Sequence, residues 1–436
     1  MPNPARASAF GIVLIIALLA VSTVVLPAQS PAQSTPTFSR DVAPILYKNC
    51  VSCHRPGEIA PMSLLTYEQV RPYARSIRER TELGTMPPWH ADATAGTFLN
   101  ERRLSAAEKE TIARWVNNGA PQGDPREIPP VPVFVEGWTF GKPDAVVSMS
   151  QPFNVPAAGT IEYQYFSVPT NFKEDKWVQG IEIRPGNRSV VHHVLVFASE
   201  PGSAARPQPF VPSNPGPAGP GAQLGPAVVA AVRNRLQNAN SARGPLIATT
   251  APGTNAVVFQ PGQALRIKAG SILTLQVHYT AIGKPEKDSS SVGFIFAKEP
   301  PKQEVRTSSF INVQFAIPPG AENHRVDSQI EFTADAHIVA LFPHTHLRGK
   351  RWEYQLTYPD GREQVVLSVP RYDFNWQTYY EYAKPIAVPK GSRLLAIAHY
   401  DNSANNKANP NSGVEVRWGD QTWEEMQYSG ITYTED

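Results

Sequence analysis

The chain has 436 residues, 41% of them hydrophobic and only 18% charged, with 40 basic side chains against 38 acidic for a net charge of +2. That balance excludes a nucleic-acid binder driven by phosphate neutralisation, and the low charge excludes a highly charged disordered chain. Proline, 43 residues, is about twice its usual share of roughly 5%, which argues against a helical bundle or α-solenoid and favours short strands and many loops.

The N-terminus carries Arg6 and then Phe10–Leu26, 17 mostly apolar residues without a charge. Pro27, Ala28 and Ala32 follow, so residues 1–33 read as a secretory signal peptide, with a retained membrane anchor as the alternative. Either way the rest of the chain is expected to be exported, to the periplasm or the outer face of the cytoplasmic membrane.

The two cysteines of the chain are Cys50 and Cys53, in Cys50-Val51-Ser52-Cys53-His54. The spacing is that of a covalent haem c site, in which the thiols add to the vinyl groups and His54 ligates iron. A redox dithiol and half a zinc site are the alternatives, but no second ligand pair follows at finger-like spacing. Around the motif, Asp41–Asn49 and Tyr67–Leu83 read as helices. Ser105–Glu108 is a capping box that opens a third helix through Ile112 and Trp115, stopped by Gly119. Residues 36–124 thereby resemble a small class I cytochrome c, which implies an all-α domain with a sixth iron ligand. Met86, in Thr85-Met86-Pro87-Pro88, is the first candidate for that ligand; Met62 and His90 are its rivals.

Residues 125–133 form a Pro-rich linker, after which the text turns to alternating strands. Five of the ten histidines fall in three strand-like places: His192 and His193, then His278, then His344 and His346. His344 and His346, at i and i+2, project from one face of a strand. His192 and His193, as neighbours, point to opposite faces of a regular strand and reach one metal only at a bulge or strand end. A lone His-x-His is often two satisfied half-buried histidines, but a His-His pair, a later His and then a His-x-His form a more specific series.

This series resembles the copper type II, ascorbate-dependent monooxygenases, the family of dopamine β-monooxygenase and peptidylglycine α-hydroxylating monooxygenase, over residues 134–436. The resemblance implies two all-β antiparallel, jelly-roll-like sandwiches, 134–300 and 301–436. It implies one copper on His192, His193 and His278. It implies a second on His344, His346 and Met426, the O₂-binding and catalytic centre. Imidazoles with one thioether suit copper better than zinc. The implied activity is hydroxylation of a C–H bond of a small organic substrate with O₂. The expected cofactors are two copper ions and one haem c, fed by an ascorbate-like reductant or another redox protein.

The chain departs from the family in three ways. It has no cysteine to spare for disulfides. The positions that anchor a substrate carboxylate in the peptide-amidating member are Phe342, Tyr428 and Gly430 here, so a glycine-extended peptide is not expected. Pro201–Pro226 carries eight prolines and reads as an irregular surface loop before a short helix at Val228–Gln237. His399 reads as a structural hydrogen-bond partner, with support of the His344–His346 copper as the alternative. Tyr372, Phe374, Trp376, Tyr379 and Tyr380 read as sandwich core and edge. Asn187-Arg188-Ser189 fits a glycosylation sequon that matters only in a eukaryotic secretory pathway. Two rivals to the oxygenase stand: a copper and haem electron-transfer protein without hydroxylase activity, and a structural sandwich binding adventitious metal.

Overall fold

The computed structural model describes residues 34–435 except 57, 59, 135–136, 202–208, 213–243 and 252–255. The N-terminal apolar stretch and the helix expected at Val228–Gln237 lie outside the described residues. Among those described, no helix is long and apolar enough to cross a membrane.

Residues 36–124 carry short helices. A π-helical turn, Phe38–Val42, runs into the helix Ala43–Asn49. The next helical stretch is broken by Pro72 into Tyr67–Val70, a 3-10 turn Arg71–Tyr73 and Ala74–Glu82. Ala106–Asn117 starts at the Ser105–Glu108 capping box, whose side chains bond each other's backbone N–H groups, and ends before Gly119, which has φ +85°. Phe38, Leu46, Val70, Ile112 and Trp115 gather between these helices in a small core.

The expectation of an all-α cytochrome c domain needs correction. The protein is mostly β-sheet, and residues 36–436 form one compact unit. The stretch after Glu82 leaves the helices for the C-terminal sheets. Trp89 and Phe98 are buried there against Tyr380, with ring centroids 5.2 and 5.6 Å away. Asp92 N–H donates to the Ser368 carbonyl and Leu99 N–H to the Glu381 carbonyl. Those aromatics bury apolar area worth roughly 1.5–3 kcal/mol each, and this ties the helical segment to the sheets.

The β part contains two sandwiched cores. In the first, Ala145–Ser148, Ser291–Phe296, Lys176–Arg184 and Gln263–Ile267 form one layer, and Gln164–Pro169, Ile272–Tyr279, Val191–Ser199 and Leu246–Thr250 the other. Val178, Ile181, Val292 and Phe294 from the first layer meet Val194, Val196, Leu273 and Leu275 from the second. In the second core, Gln303–Ile311, Tyr428–Glu435, Ala336–His344 and Tyr380–Val388 lie against a five-stranded sheet that includes Gly349–Thr357, Arg393–Tyr400 and His324–Phe332. His324–Phe332 buries alternate residues, the period-two pattern of a strand with one face on a core.

Two features tie these halves together. Gln303, Glu304 and Val305 pair in parallel with Gln263, Ala264 and Leu265, so a nine-stranded sheet runs through both. Phe210–Pro212, inside the stretch read as an irregular loop, is a strand on the edge of the second half, paired with Ile330–Phe332. Phe210 fills a hole between Phe332 and Tyr433, at 5.6 and 5.5 Å between ring centroids.

Candidate metal centre

The strands Val191–Ser199 and Ile272–Tyr279 are antiparallel neighbours. Their register runs from Ser199↔Ile272 to His193↔His278 and then jumps to Val191↔Tyr279, leaving His192 without an opposite residue. This is a β-bulge, and it turns His192 to the same side as His193. Ring centroids lie 5.2 Å apart for His192–His193, 5.0 Å for His192–His278 and 5.0 Å for His193–His278. One nitrogen from each ring falls within 4.8 Å of the others. His192 Nδ1 and His193 Nδ1 share a 3.0 Å contact, and the Nδ1 of His278 is buried without a hydrogen bond. Burial first, then the charge of His192, pushes His278 down to about 3. Burial and the facing His278 push His193 well down as well. Neutral imidazoles with an orphaned nitrogen are the form that binds a transition metal.

His344 and His346 lie at the end of the strand Ala336–His344 and just beyond it, with ring centroids 5.2 Å apart. Both rings are fixed through one nitrogen. His344 Nδ1 meets Gln377 Oε1 at 2.8 Å and His346 Nδ1 meets the Glu424 carbonyl at 3.2 Å, so each Nδ1 is the donor. The other nitrogen is left bare; His346 Nε2 is buried and has no partner. Outer hydrogen bonds of this kind fix tautomer and orientation in metal sites. The carboxylate of Glu425 holds the backbone around the pair, accepting from His346 N–H at 2.8 Å and Arg348 N–H at 2.6 Å. Met426 follows it, half-buried, with its carbonyl accepting from Tyr400 OH at 2.7 Å.

The two groups share aromatic walls. Phe374 lies 5.8 Å from His192, 6.0 Å from His193 and His278, and 6.0 Å from His346. Tyr163 lies 5.7 Å from His193, 5.0 Å from His278 and 6.3 Å from His346. Its hydroxyl is buried without a partner, and burial pushes the phenol well up. Four histidines from three stretches thus surround two rings, and His344 lies beside the fourth, His346. A cavity of about 280 Å³ is lined by Phe374, Tyr372, Asn375 and, from the helical segment, Thr85 and His90.

The Cys-x-x-Cys-His turn closes the helix Ala43–Asn49, with Cys53 N–H and His54 N–H both donating to the Cys50 carbonyl. The two cysteines form no disulfide, and burial is the main reason the Cys50 thiol is pushed up to about 12. His54 Nδ1 faces the Met62 carbonyl at 3.3 Å, which leaves Nε2 as the free donor atom. That donor set fits an axially ligated, thioether-bound haem. Met62 engages His54 through its carbonyl, and half-buried Met86 is fixed by its N–H to the Arg80 carbonyl.

His399 contacts Arg351 Nη2 at 3.1 Å on the far sheet, and His324 and His337 sit on strands outside the cluster. Tyr163, Gln377 and Glu425 carry the site's geometry and were not singled out by sequence reasoning, and Phe374 was read as core. Gln377 and Glu425 have a faint signal, being a polar residue inside an aromatic run and an acid next to the candidate Met.

No protein family and no curated protein matches the chain. Among solved structures it is similar to the major capsid protein P2 from bacteriophage PM2, at 10% identity over 67% of this chain and 97% of that one, with a TM-score of 0.28. It is also similar to allantoicase, at 9% identity over 57% and 81% with a TM-score of 0.16. A third is the infectious bursal disease virus VP2 subviral particle, at 10% over 67% and 81% with a TM-score of 0.17. Likenesses this slight say nothing about the histidine cluster.

Proposed function

We propose that the chain is an exported dicopper monooxygenase that hydroxylates a C–H bond of a small organic substrate. The overall reaction puts one oxygen atom of O₂ into the C–H bond and releases the other as water, consuming two electrons and two protons. The electrons come from an ascorbate-like reductant or a redox protein, through haem c held by Cys50, Cys53 and His54. The observation that carries the reading is the gathering of His192, His193, His278 and His346 around Phe374 and Tyr163, with His344 beside His346.

Copper bound in such sites supplies one-electron transfer and O₂ activation. The chain's own groups do the rest. The bulge at His192 turns three imidazoles inward, and burial keeps them neutral. Gln377 and the Glu424 carbonyl hold the Nδ1 protons of His344 and His346, which frees Nε2 on each ring for metal. Glu425 fixes the loop between them and Met426, whose thioether would complete a second, softer site. Phe374 and Tyr163 supply the aromatic walls that both groups share.

Metal analysis is the first test: the reading requires two coppers and one haem iron per chain. The second is O₂ uptake with reductant across a panel of C–H substrates, lost in Met426→Ala while copper remains on the three-histidine group. Fewer than two coppers, or uptake indifferent to Met426, sinks it. One observation favours a pure electron carrier instead: His193, His344 and His346 are 1%, 6% and 0% exposed. A copper- and haem-loaded protein that cycles its metals but never consumes O₂ would establish that second reading.

A further inference from the structure

A second cavity, of about 200 Å³, lies where the helical segment meets both sandwiched cores. Trp89 and Arg102 come from the helical segment, and Trp376, Gln377, Tyr379 and Glu381 from the second half. Its chemistry is unusual in one respect. The Arg102 guanidinium is half-buried and makes no ion pair or hydrogen bond to any described residue, and the Trp89 indole N–H beside it in the lining is buried without a partner. Glu381 lines the same cavity, but no ion pair joins it to Arg102, and burial pushes that carboxyl up to about 7. A half-buried cation and a buried indole N–H, both without acceptors, are donors that an anionic ligand would complete.

The rest of the lining narrows the ligand. Trp89, Trp376 and Tyr379 offer flat apolar walls that suit a small ring. Gln377 connects the cavity to the candidate metal centre, since the same side chain accepts from His344 Nδ1. Tyr379 leads there too, through Phe342, which stacks on His344 with centroids 6.1 Å apart.

We infer that this cavity is a carboxylate-binding site, with Arg102 taking the acid group and Trp89, Trp376 and Tyr379 the apolar body attached to it. The carboxylate has two sources by chemistry: a free small aromatic acid, or a propionate of the haem at Cys50 and Cys53. As the seat of a free acid that becomes substrate, the cavity rests on the oxygenase reading. As a carboxylate site it does not.

The test uses the full chain as isolated, without O₂ or reductant, so it is independent of turnover. Phenylacetate is titrated against intrinsic tryptophan fluorescence, with phenylacetamide as the uncharged control. Saturable binding of the acid, weakened about 10- to 100-fold both by removing its charge and by Arg102→Gln, supports a free-acid site. Arg102→Lys, which keeps the charge, is expected to recover part of the affinity, and circular dichroism melting of both variants separates lost binding from lost folding. If haem-loaded protein ignores phenylacetate but Arg102→Gln shifts the haem midpoint potential and its pH dependence, the carboxylate is the propionate. If phenylacetate does not bind and the potential does not move, the inference is overturned. Binding without any O₂ uptake would leave this site standing and remove the oxygenase.

Discussion

The two histidine groups reach similar ring spacings by different routes. His192, His193 and His278 come from one antiparallel strand pair with a bulge, and two of their nitrogens meet at 3.0 Å. His344 and His346 come from a strand end, and each ring is braced from outside by Gln377 or the Glu424 carbonyl. The first group depends on backbone register, so its weak point is the strand pair. The second depends on distant side chains, so its weak points are Gln377 and Glu425. A bulge can be lost only with its strand; a brace can be removed singly.

Substitutions can break or sharpen that contrast. The largest effect is expected from Glu425→Ala. It strips a fully buried acceptor from the N–H groups of His346 and Arg348, at a cost of about 3–5 kcal/mol in unfolding free energy. Urea denaturation reads this directly, and a loss below about 1 kcal/mol would mean the brace is dispensable. Next is His278→Ala, which is expected to weaken copper on the three-histidine group by about 100-fold or more and leave the other site loaded. Equal loss from both sites, measured by competitive titration, would show the groups to be one unit. Gln377→Leu leaves the His344 Nδ1 proton unsatisfied and is expected to cost 10–100-fold in copper affinity at the braced pair alone.

The smallest effect concerns Glu381, which faces the cavity beside the brace. Its carboxyl is held as the acid, at about 7 against an ordinary 4.5, by burial. Between those values the folded chain binds more protons than the unfolded one, so this group's contribution to stability falls as pH rises from about 4.5 to 7. Glu381→Gln is expected to flatten that decline by about 1–2 kcal/mol, read from urea midpoints across the same interval. An unchanged slope would show that the carboxyl is already ionised in the folded protein.

Residue type made the histidines visible in sequence, because imidazoles in apolar strand text are few. Their convergence was not visible. Period-two alternation sends His192 and His193 apart, and only the register jump to Val191↔Tyr279 reunites them. Gln377 and Glu425 lie 33 and 79 residues from the histidines they support, a long-range pairing that no local pattern encodes. The capping box at Ser105–Glu108 was legible, since it is a local motif. The dependence of the helical segment on the sheets was not, because Trp89 and Phe98 look like any loop aromatics until they meet Tyr380 and Tyr382. The three-residue strand at Phe210 was hidden by its prolines, which argue for coil in any window that omits the edge it joins.

The parallel pairing of Gln303–Val305 with Gln263–Leu265 has a mechanical consequence. It acts as a strut across the middle of the molecule. Opening a hinge between the halves would tear a hydrogen-bonded ladder rather than flex a tether. The two imidazole groups therefore sit on halves joined by a shared sheet rather than by a flexible tether.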